Sequence, residues 1–248
     1  MKKIGIVGGV AWPSTVAYYS EICRRSEQWH LARNPQAAPP TPEMSIESLD
    51  LTQAVAHFGV DGDEASWSKF DDYHRTALKR VEACGADFAL MASNTPHHRF
   101  ETIVRGIGIP VLSILDATAE ESARVGATQV LILGTVVAMR SQAFRAAFAR
   151  HGVEAAGPDD AALREMTVGL IAELQLGKVE GAAQRLAGIA RTSFERQFKT
   201  QPAVCLACTE LPLAFQRKML ATFHYDGVLY INTSAVHINA AFDFAVNE

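Results

Sequence analysis

The sequence has no long apolar run and few cysteines, and these two features bear on the cellular location of the protein. No segment approaches the roughly 20 consecutive apolar residues that a membrane-spanning helix needs. The N-terminal stretch MKKIGIVGGV carries two lysines, but glycines interrupt its short apolar part, which is unlike a secretory signal. Four cysteines in 248 residues do not suggest a disulfide framework, so reduced thiols are expected. These features predict a cytoplasmic location.

The sequence also lacks an excess of positive charge. It has 23 Lys and Arg residues against 27 Asp and Glu residues, which gives a formal net charge of −4. No basic run is long enough to follow a phosphate backbone, so neither nucleic acid nor a membrane is an expected partner. The adjacent His97 and His98 have no carboxylate at helical ligand spacing, and no metal site is predicted. A small molecule is the expected partner.

Apolar residues make up 48% of the sequence, enough to fill one large core or two small ones. Short apolar runs alternate with longer stretches of helical period, which indicates an α/β fold with mainly parallel sheets flanked by helices. The predicted strands are Ile4–Val7, Met44–Ser48, Phe88–Ala92, Val111–Ile114, Gln129–Leu133, Val204–Ala207 and Val228–Ile231.

One helix is predicted between two signals in the sequence. Ser66 is a candidate N-cap, apolar residues follow it at helical spacing, and Cys84-Gly85 is expected to end the helix. The stretch 34–43, which contains four prolines, is predicted to be a loop. Cys23, Cys84 and Cys205 are expected to be core thiols.

Small polar residues follow two of the apolar runs. Ser93, Asn94 and Thr95 follow FALMA, and Cys208 follows VCLA. In parallel α/β sheets, ligands bind at the carboxyl ends of strands, so both places are candidate sites. Cys205 and Cys208 form a C-x-x-C, but no second pair exists and Cys205 should point to the opposite face of the strand.

The sequence also contains a weak internal repeat. KKIGIVGGVAWPS is echoed by TQVLILGTVVAMRS at 128–141, and FALMASNTPH is echoed by VCLACTELP. Two similar domains, related by a pseudo-twofold axis with the site between them, are therefore expected. The glycines at 5, 8 and 9 do not fit the G-x-G-x-x-G spacing of a dinucleotide site, and they are also consistent with a simple tight turn.

Several motifs together resemble a known family. MKKIGIVGG followed by Trp12, then SNTPH, LILGT, ACTELPL and finally NTSAVHINAAFDFA look like the aspartate/glutamate racemase family of pyridoxal-phosphate-independent amino-acid racemases. The resemblance covers essentially the whole chain. It implies two α/β domains, residues 1–114 with 226–248 and residues 115–225, no cofactor, and a homodimer.

The resemblance also implies roles for individual residues. In the family, one cysteine from each domain takes part in proton exchange at the α-carbon of an amino acid, and Cys208 matches the second of these. Ser93 stands where the first cysteine is usual, Ala207 stands where glycine is usual, and Asn232 stands where aspartate is usual. The expected substrate-binding residues are Gly9, Asn94, Thr95, His97, Thr135, Lys178, Thr209 and Glu210.

A thiol whose pKa is lowered by backbone donors could both accept and return a proton, whereas the hydroxyl of Ser93 is too weak an acid for that. Cys208 is therefore the expected main acid/base, and His97 could relay a proton. The sequence predicts a racemase of an amino acid, with aspartate and glutamate as candidates. A single-cysteine decarboxylase of the same superfamily and a protein that only binds an amino acid or related carboxylate remain alternatives. For Lys178, a solvated surface lysine is the competing interpretation.

Overall fold

The computed structural model describes residues 1–36, 38–39, 41–60, 62–215 and 219–247. The chain divides into two compact units. Unit 1 comprises Met1–Ser113 and Ile238–Glu248, and unit 2 comprises Ile114–His237. Among the helices in the described ranges, none combines the length and the apolar character that crossing a membrane requires.

Unit 1 is built on a four-stranded sheet in the order β2-β1-β3-β4, with every neighbouring pair parallel. Its central strands β1 and β3 are buried along their whole length because both faces carry apolar side chains. Its elements are β1 (Ile4–Gly8), α1 (Trp12–Leu31), β2 (Met44–Ser48), α2 (Leu51–Ala56), a 3₁₀ helix (Glu64–Trp67), α3 (Ser68–Ala83), β3 (Phe88–Met91), a 3₁₀ helix (Thr95–Arg99), α4 (Phe100–Ile103) and β4 (Val111–Leu112).

Unit 2 is built on a five-stranded sheet in the order β6-β5-β7-β9-β8, in which only the β8–β9 pair is antiparallel among the described strands. Its elements are α5 (Ile114–Arg124), β5 (Gln129–Gly134), α6 (Val136–Arg140), α7 (Gln142–Arg150), β6 (Glu154–Ala156), α8 (Ala161–Gln175), α9 (Ala182–Gln197), β7 (Ala203–Ala207), a 3₁₀ helix (Leu211–Phe215), β8 (Thr222–Tyr225), β9 (Val228–Asn232) and the start of α10 (Thr233–Val246). Helix α10 continues into the residues of unit 1.

The prediction of an α/β fold with mainly parallel sheets is confirmed, and each predicted strand is present. The predicted strand Val111–Ile114 ends at Leu112, and Ile114 is instead the first residue of α5. Residues 226–248 were expected to return to the first domain, whereas residues up to His237 belong to unit 2, since β9 pairs with β7.

The predicted helix after Ser66 has a different cap. Asp63 accepts hydrogen bonds from the backbone N–H groups of Ala65 and Ser66, and so begins a 3₁₀ turn that leads into α3. The helix ends as predicted: Cys84 is the C-cap, and Gly85 follows with a φ of +77°. The prediction that Cys84 is a core thiol is wrong, because its position as a cap leaves the side chain exposed.

Candidate active site

In unit 1, Gly9 lies directly after the carboxyl end of β1. Its φ is +86°, and a Cβ atom built on it would lie 2.1 Å from the carbonyl oxygen of Leu49. Its N–H donates to Thr15 Oγ1 at 2.9 Å. The tight turn predicted for this glycine is therefore present, and only glycine fits it without strain.

Ser93, Asn94 and Thr95 follow β3 at the same edge of the sheet. Ser93 is half-buried, and the Asn94 side chain is 3% exposed. The segment is connected to α1 by Ser14, whose Oγ donates to the carbonyl oxygen of Ala92 at 2.7 Å. The three residues thus follow the carboxyl end of β3, as predicted.

His97 lies in the 3₁₀ helix that Thr95 begins. Its ring is fully buried and stacks on Phe100, with 5.4 Å between the ring centroids. Its Nδ1 is 2.8 Å from the backbone carbonyl oxygen of Ser93, so it donates to the main chain of Ser93. His97 is therefore a buried residue.

A buried ion pair anchors this 3₁₀ helix to α3. The Arg99 guanidinium donates to both carboxylate oxygens of Asp71, at 3.1 and 2.9 Å. Hydrogen bonding to Asp71 is the largest of the effects that raise the pKa of Arg99. The position of residues 95–99 is therefore fixed by a bidentate charged contact.

In unit 2, Cys208 follows the carboxyl end of β7. It packs in an apolar cluster with Leu163, Leu206 and Leu211, whereas Cys205 packs in a different cluster. Cys208 is 7% exposed and Cys205 is fully buried. The two thiols are therefore in separate environments, as the alternation of side chains along the strand predicts.

The Cys208 thiol contacts the side chain of Glu210. Sγ donates to Glu210 Oε2 at 2.9 Å, and Thr209 Oγ1 donates to the same oxygen at 2.9 Å. Glu210 is 5% exposed. Glu210 was predicted only to bind substrate, and its contact with the Cys208 thiol was not predicted.

Burial raises the pKa of the Cys208 thiol well above its usual range, and the nearby Glu210 carboxylate raises it further. Hydrogen bonds from the backbone N–H groups of Glu210 and Thr209 act in the opposite direction but are smaller effects. The expectation of a lowered pKa is therefore wrong for this structure. Removing Sγ from water, next to a carboxylate, disfavours the thiolate more than two backbone donors favour it.

Thr135 and Thr233 form hydrogen bonds directly after the ends of β5 and β9 in unit 2. Thr135 caps α6 by accepting a hydrogen bond from the N–H of Ala138 at 3.3 Å. Thr233 Oγ1 donates to the carbonyl oxygen of Leu206 at 3.0 Å. Asn232, which stands where the family usually has aspartate, accepts a hydrogen bond from the N–H of Ala235 at 3.3 Å at the start of α10.

Lys178 lies just after α8 and is exposed, and its backbone N–H donates to the carbonyl oxygen of Glu173 at 3.0 Å. The structure thus brings together Cys208, Thr209 and Glu210 in unit 2. In unit 1 it brings Ser93 and His97 together. The pairing of Ser93 with Cys208 stays a prediction.

Comparison with known proteins gives a consistent result. Residues 7–241 match the sequence profile of a family described as Asp/Glu/hydantoin racemase. The chain is 24% identical over 208 residues to the broad specificity amino-acid racemase RacX of Bacillus subtilis (strain 168), covering 84% of this chain and 85% of that protein.

Many solved structures have a similar fold, and two of them are an aspartate racemase homologue and an arylmalonate decarboxylase mutant. An aspartate racemase homologue from Pyrococcus horikoshii OT3 is 27% identical, with a TM-score of 0.75 and full coverage of both chains. A double mutant of arylmalonate decarboxylase in the liganded form is 12% identical, with a TM-score of 0.55, and the match covers 100% of this chain and 94% of that chain. The second likeness concerns the fold alone.

Proposed function

Because the chain belongs to the Asp/Glu/hydantoin racemase family, we propose that it is a cofactor-independent racemase of an amino acid, with aspartate and glutamate as candidate substrates. The reaction removes the α-proton and returns a proton to the α-carbon. Cys208 is the main acid/base in this proposal, and Ser93 takes the place of the other cysteine. The observation that carries the proposal is the buried Cys208 thiol with its carboxylate partner at the end of β7.

The surroundings of Cys208 suit proton transfer to and from carbon. The thiol is the acid form, and its raised pKa keeps the proton on sulfur when no base accepts it. A thiol held between a carboxylate and an apolar cluster can donate its proton to a carbanion. The backbone N–H groups of Thr209 and Glu210 then partly stabilise the thiolate that remains.

The other predicted residues supply the binding groups in this proposal. Asn94, Thr95 and Thr209 bind the carboxylate and the amine of the substrate, and Gly9, Thr135, His97 and Lys178 complete the set. The similarity to an amino-acid racemase of broad specificity supports an amino acid as the substrate. A homodimer and a cytoplasmic location stay predictions from the sequence.

A decarboxylase is the second candidate, because Ser93 leaves Cys208 without the paired thiol that the family usually has. A single thiol suffices to protonate one face of an enolate after carbon dioxide leaves. The fold likeness to arylmalonate decarboxylase is consistent with this alternative but does not favour it over racemisation.

Proton NMR in heavy water with a panel of amino acids distinguishes the candidates. Uptake of deuterium at the α-carbon is expected if the protein is a racemase. Release of carbon dioxide from substituted malonates, without α-deuterium uptake from any amino acid, would instead establish the decarboxylase. Ligand binding with neither reaction would contradict both enzymes and leave a binding protein.

A further inference from the structure

The contact between Cys208 and Glu210 is built into a short turn. The backbone N–H of Leu211 donates to the carbonyl oxygen of Cys208 at 3.2 Å, and the N–H of Leu213 donates to that of Glu210 at 2.9 Å. The 3₁₀ helix Leu211–Phe215 continues from this turn, and Leu211 is fully buried in the apolar cluster that also contains Cys208. The turn therefore holds the thiol and the carboxylate in a fixed relation.

The side chains of Cys208 and Glu210 are both more than nine-tenths buried, so their polar contacts come from neighbouring groups of the protein. A buried carboxylate without hydrogen-bond donors is strongly unfavourable. Here Glu210 Oε2 accepts from both Cys208 Sγ and Thr209 Oγ1. Glu210 is the charged side chain that acts on the thiol among the described residues, and the cluster around Sγ is otherwise apolar.

We propose, resting on the proposed function, that Glu210 is a positioning residue that holds the proton of Cys208 during turnover. In the first step the S–H bond breaks and an O–H bond forms on Glu210 Oε2, while the electron pair stays on sulfur. The pair carries one negative charge before and after this transfer. A thiolate is thus formed without adding charge to a buried site.

In the second step the thiolate takes the α-proton of the substrate. The C–H bond breaks, a new S–H bond forms, and the electron pair stays on the α-carbon as a carbanion. When the carbanion takes a proton back from sulfur on the same face, both transfers reverse, which exchanges the α-proton without inverting the α-carbon. Glu210 is then again the carboxylate that accepts from the thiol. This assigns Glu210 a role in proton transfer in place of the predicted role in substrate binding.

The test measures the reactivity of the Cys208 thiol and the rate of turnover separately. In a protein that carries Cys23→Ser and Cys84→Ser, alkylation of Cys208 by iodoacetamide is followed by mass spectrometry of its peptide from pH 6 to pH 10.5. Glu210→Gln removes the carboxylate, and we expect the midpoint of alkylation to fall by about one unit or more. We expect the rate of α-deuterium exchange, which measures turnover, to fall about 10²- to 10⁴-fold, although more of the thiol is ionised.

Two further variants complete the experiment. Glu210→Asp retains a carboxylate and should restore part of the turnover that Glu210→Gln loses. Glu173→Gln removes a half-exposed carboxylate of α8, which pairs with Arg185, and should leave both measurements unchanged. Thermal unfolding of each variant identifies any that do not fold.

An unchanged midpoint in Glu210→Gln, with an effect on KM alone, would overturn the inference and return Glu210 to substrate binding. A different outcome is that the wild-type protein shows no turnover, while the midpoint of Cys208 alkylation still falls in Glu210→Gln. It would refute the proposed function, and with it the role of Glu210 in turnover, while the thiol–carboxylate pair would stand.

Discussion

Cys205 and Cys208 are three residues apart, yet they differ in what surrounds the sulfur atom. Burial alone raises the pKa of Cys205, which has no charged neighbour among the described residues. Cys208 has a carboxylate partner and two backbone donors in addition to burial. These polar groups around the Cys208 sulfur atom are consistent with its proposed role as acid/base.

The first prediction concerns removal of this thiol. Cys208→Ala should lower α-deuterium exchange by at least about 10²-fold, because it deletes the proposed acid/base. The fold should persist, since alanine is small enough for the end of a strand. Cys205→Ala is the matched control, and its exchange rate should stay within a few-fold of wild type. Exchange in Cys208→Ala close to that of wild type would refute the proposed mechanism.

The second prediction concerns Ser93, which stands where the family usually has a cysteine. With one competent thiol, the natural protein should exchange the α-proton of one enantiomer much faster than that of the other. Ser93→Cys should raise exchange of the slower enantiomer by up to about 10²- to 10⁴-fold, less the cost of the larger sulfur atom. Exchange rates of both pure enantiomers, measured by proton NMR, test this. An equal change for both, or none, would make Ser93 a binding or structural hydroxyl.

At the scale of elements, the sequence predicted the bounds of six strands to within one residue. β1, β3, β5 and β7 contain continuous apolar runs, and β9 also differs from its predicted bounds by one residue. The partly exposed β2 has the predicted bounds. β6 was not predicted because Glu-Ala-Ala has neither an apolar run nor β-branched residues. β8, an antiparallel edge strand with alternating burial, was also missed.

The candidate site was predictable only in part, because apolar runs indicate where strands end but not which side chains meet in the turns that follow. Ser93 and Cys208 could be placed at strand ends because each follows a buried apolar run. The contact between Cys208 and Glu210 depends on the geometry of the turn after β7, which a C-x-E spacing does not specify. Burial then reversed the expected direction of the Cys208 pKa shift.

The third prediction concerns the ion pair that anchors the 3₁₀ helix Thr95–Arg99 to α3. Asp71→Ala leaves the Arg99 guanidinium buried without its main partner, which should destabilise the protein by about 3–5 kcal/mol. Glu64 also contacts Arg99, but its side chain is 82% exposed. Glu64→Ala is therefore the matched control, and its cost should not exceed about 1 kcal/mol. Urea unfolding measures both, and equal losses would contradict the difference in burial.

At the scale of the whole molecule, tryptophan fluorescence distinguishes unit 1 from unit 2. All three tryptophans, at positions 12, 29 and 67, lie in unit 1. Trp67 packs against Phe70, with 5.4 Å between the ring centroids, and Phe70 packs against His74 at 4.2 Å. Tryptophan fluorescence therefore reports the unfolding of the unit that contains this buried histidine.

The last prediction is a loss of stability of unit 1 in acid that depends on His74. Burial lowers the pKa of His74 to about 4, while Nδ1 lies 2.9 Å from the carbonyl oxygen of Phe70. Below the unfolded pKa of about 6.5, the unfolded chain binds a proton that the folded chain refuses, so stability falls as the pH falls from about 6.5 to 4. The loss should reach about 3 kcal/mol at pH 4. Urea unfolding followed by tryptophan fluorescence should show that His74→Gln removes this part of the pH dependence, whereas His151→Gln, at an exposed position in unit 2, retains it. The same acid sensitivity in His74→Gln as in wild type would mean that other groups, protonated on unfolding, destabilise unit 1 in acid.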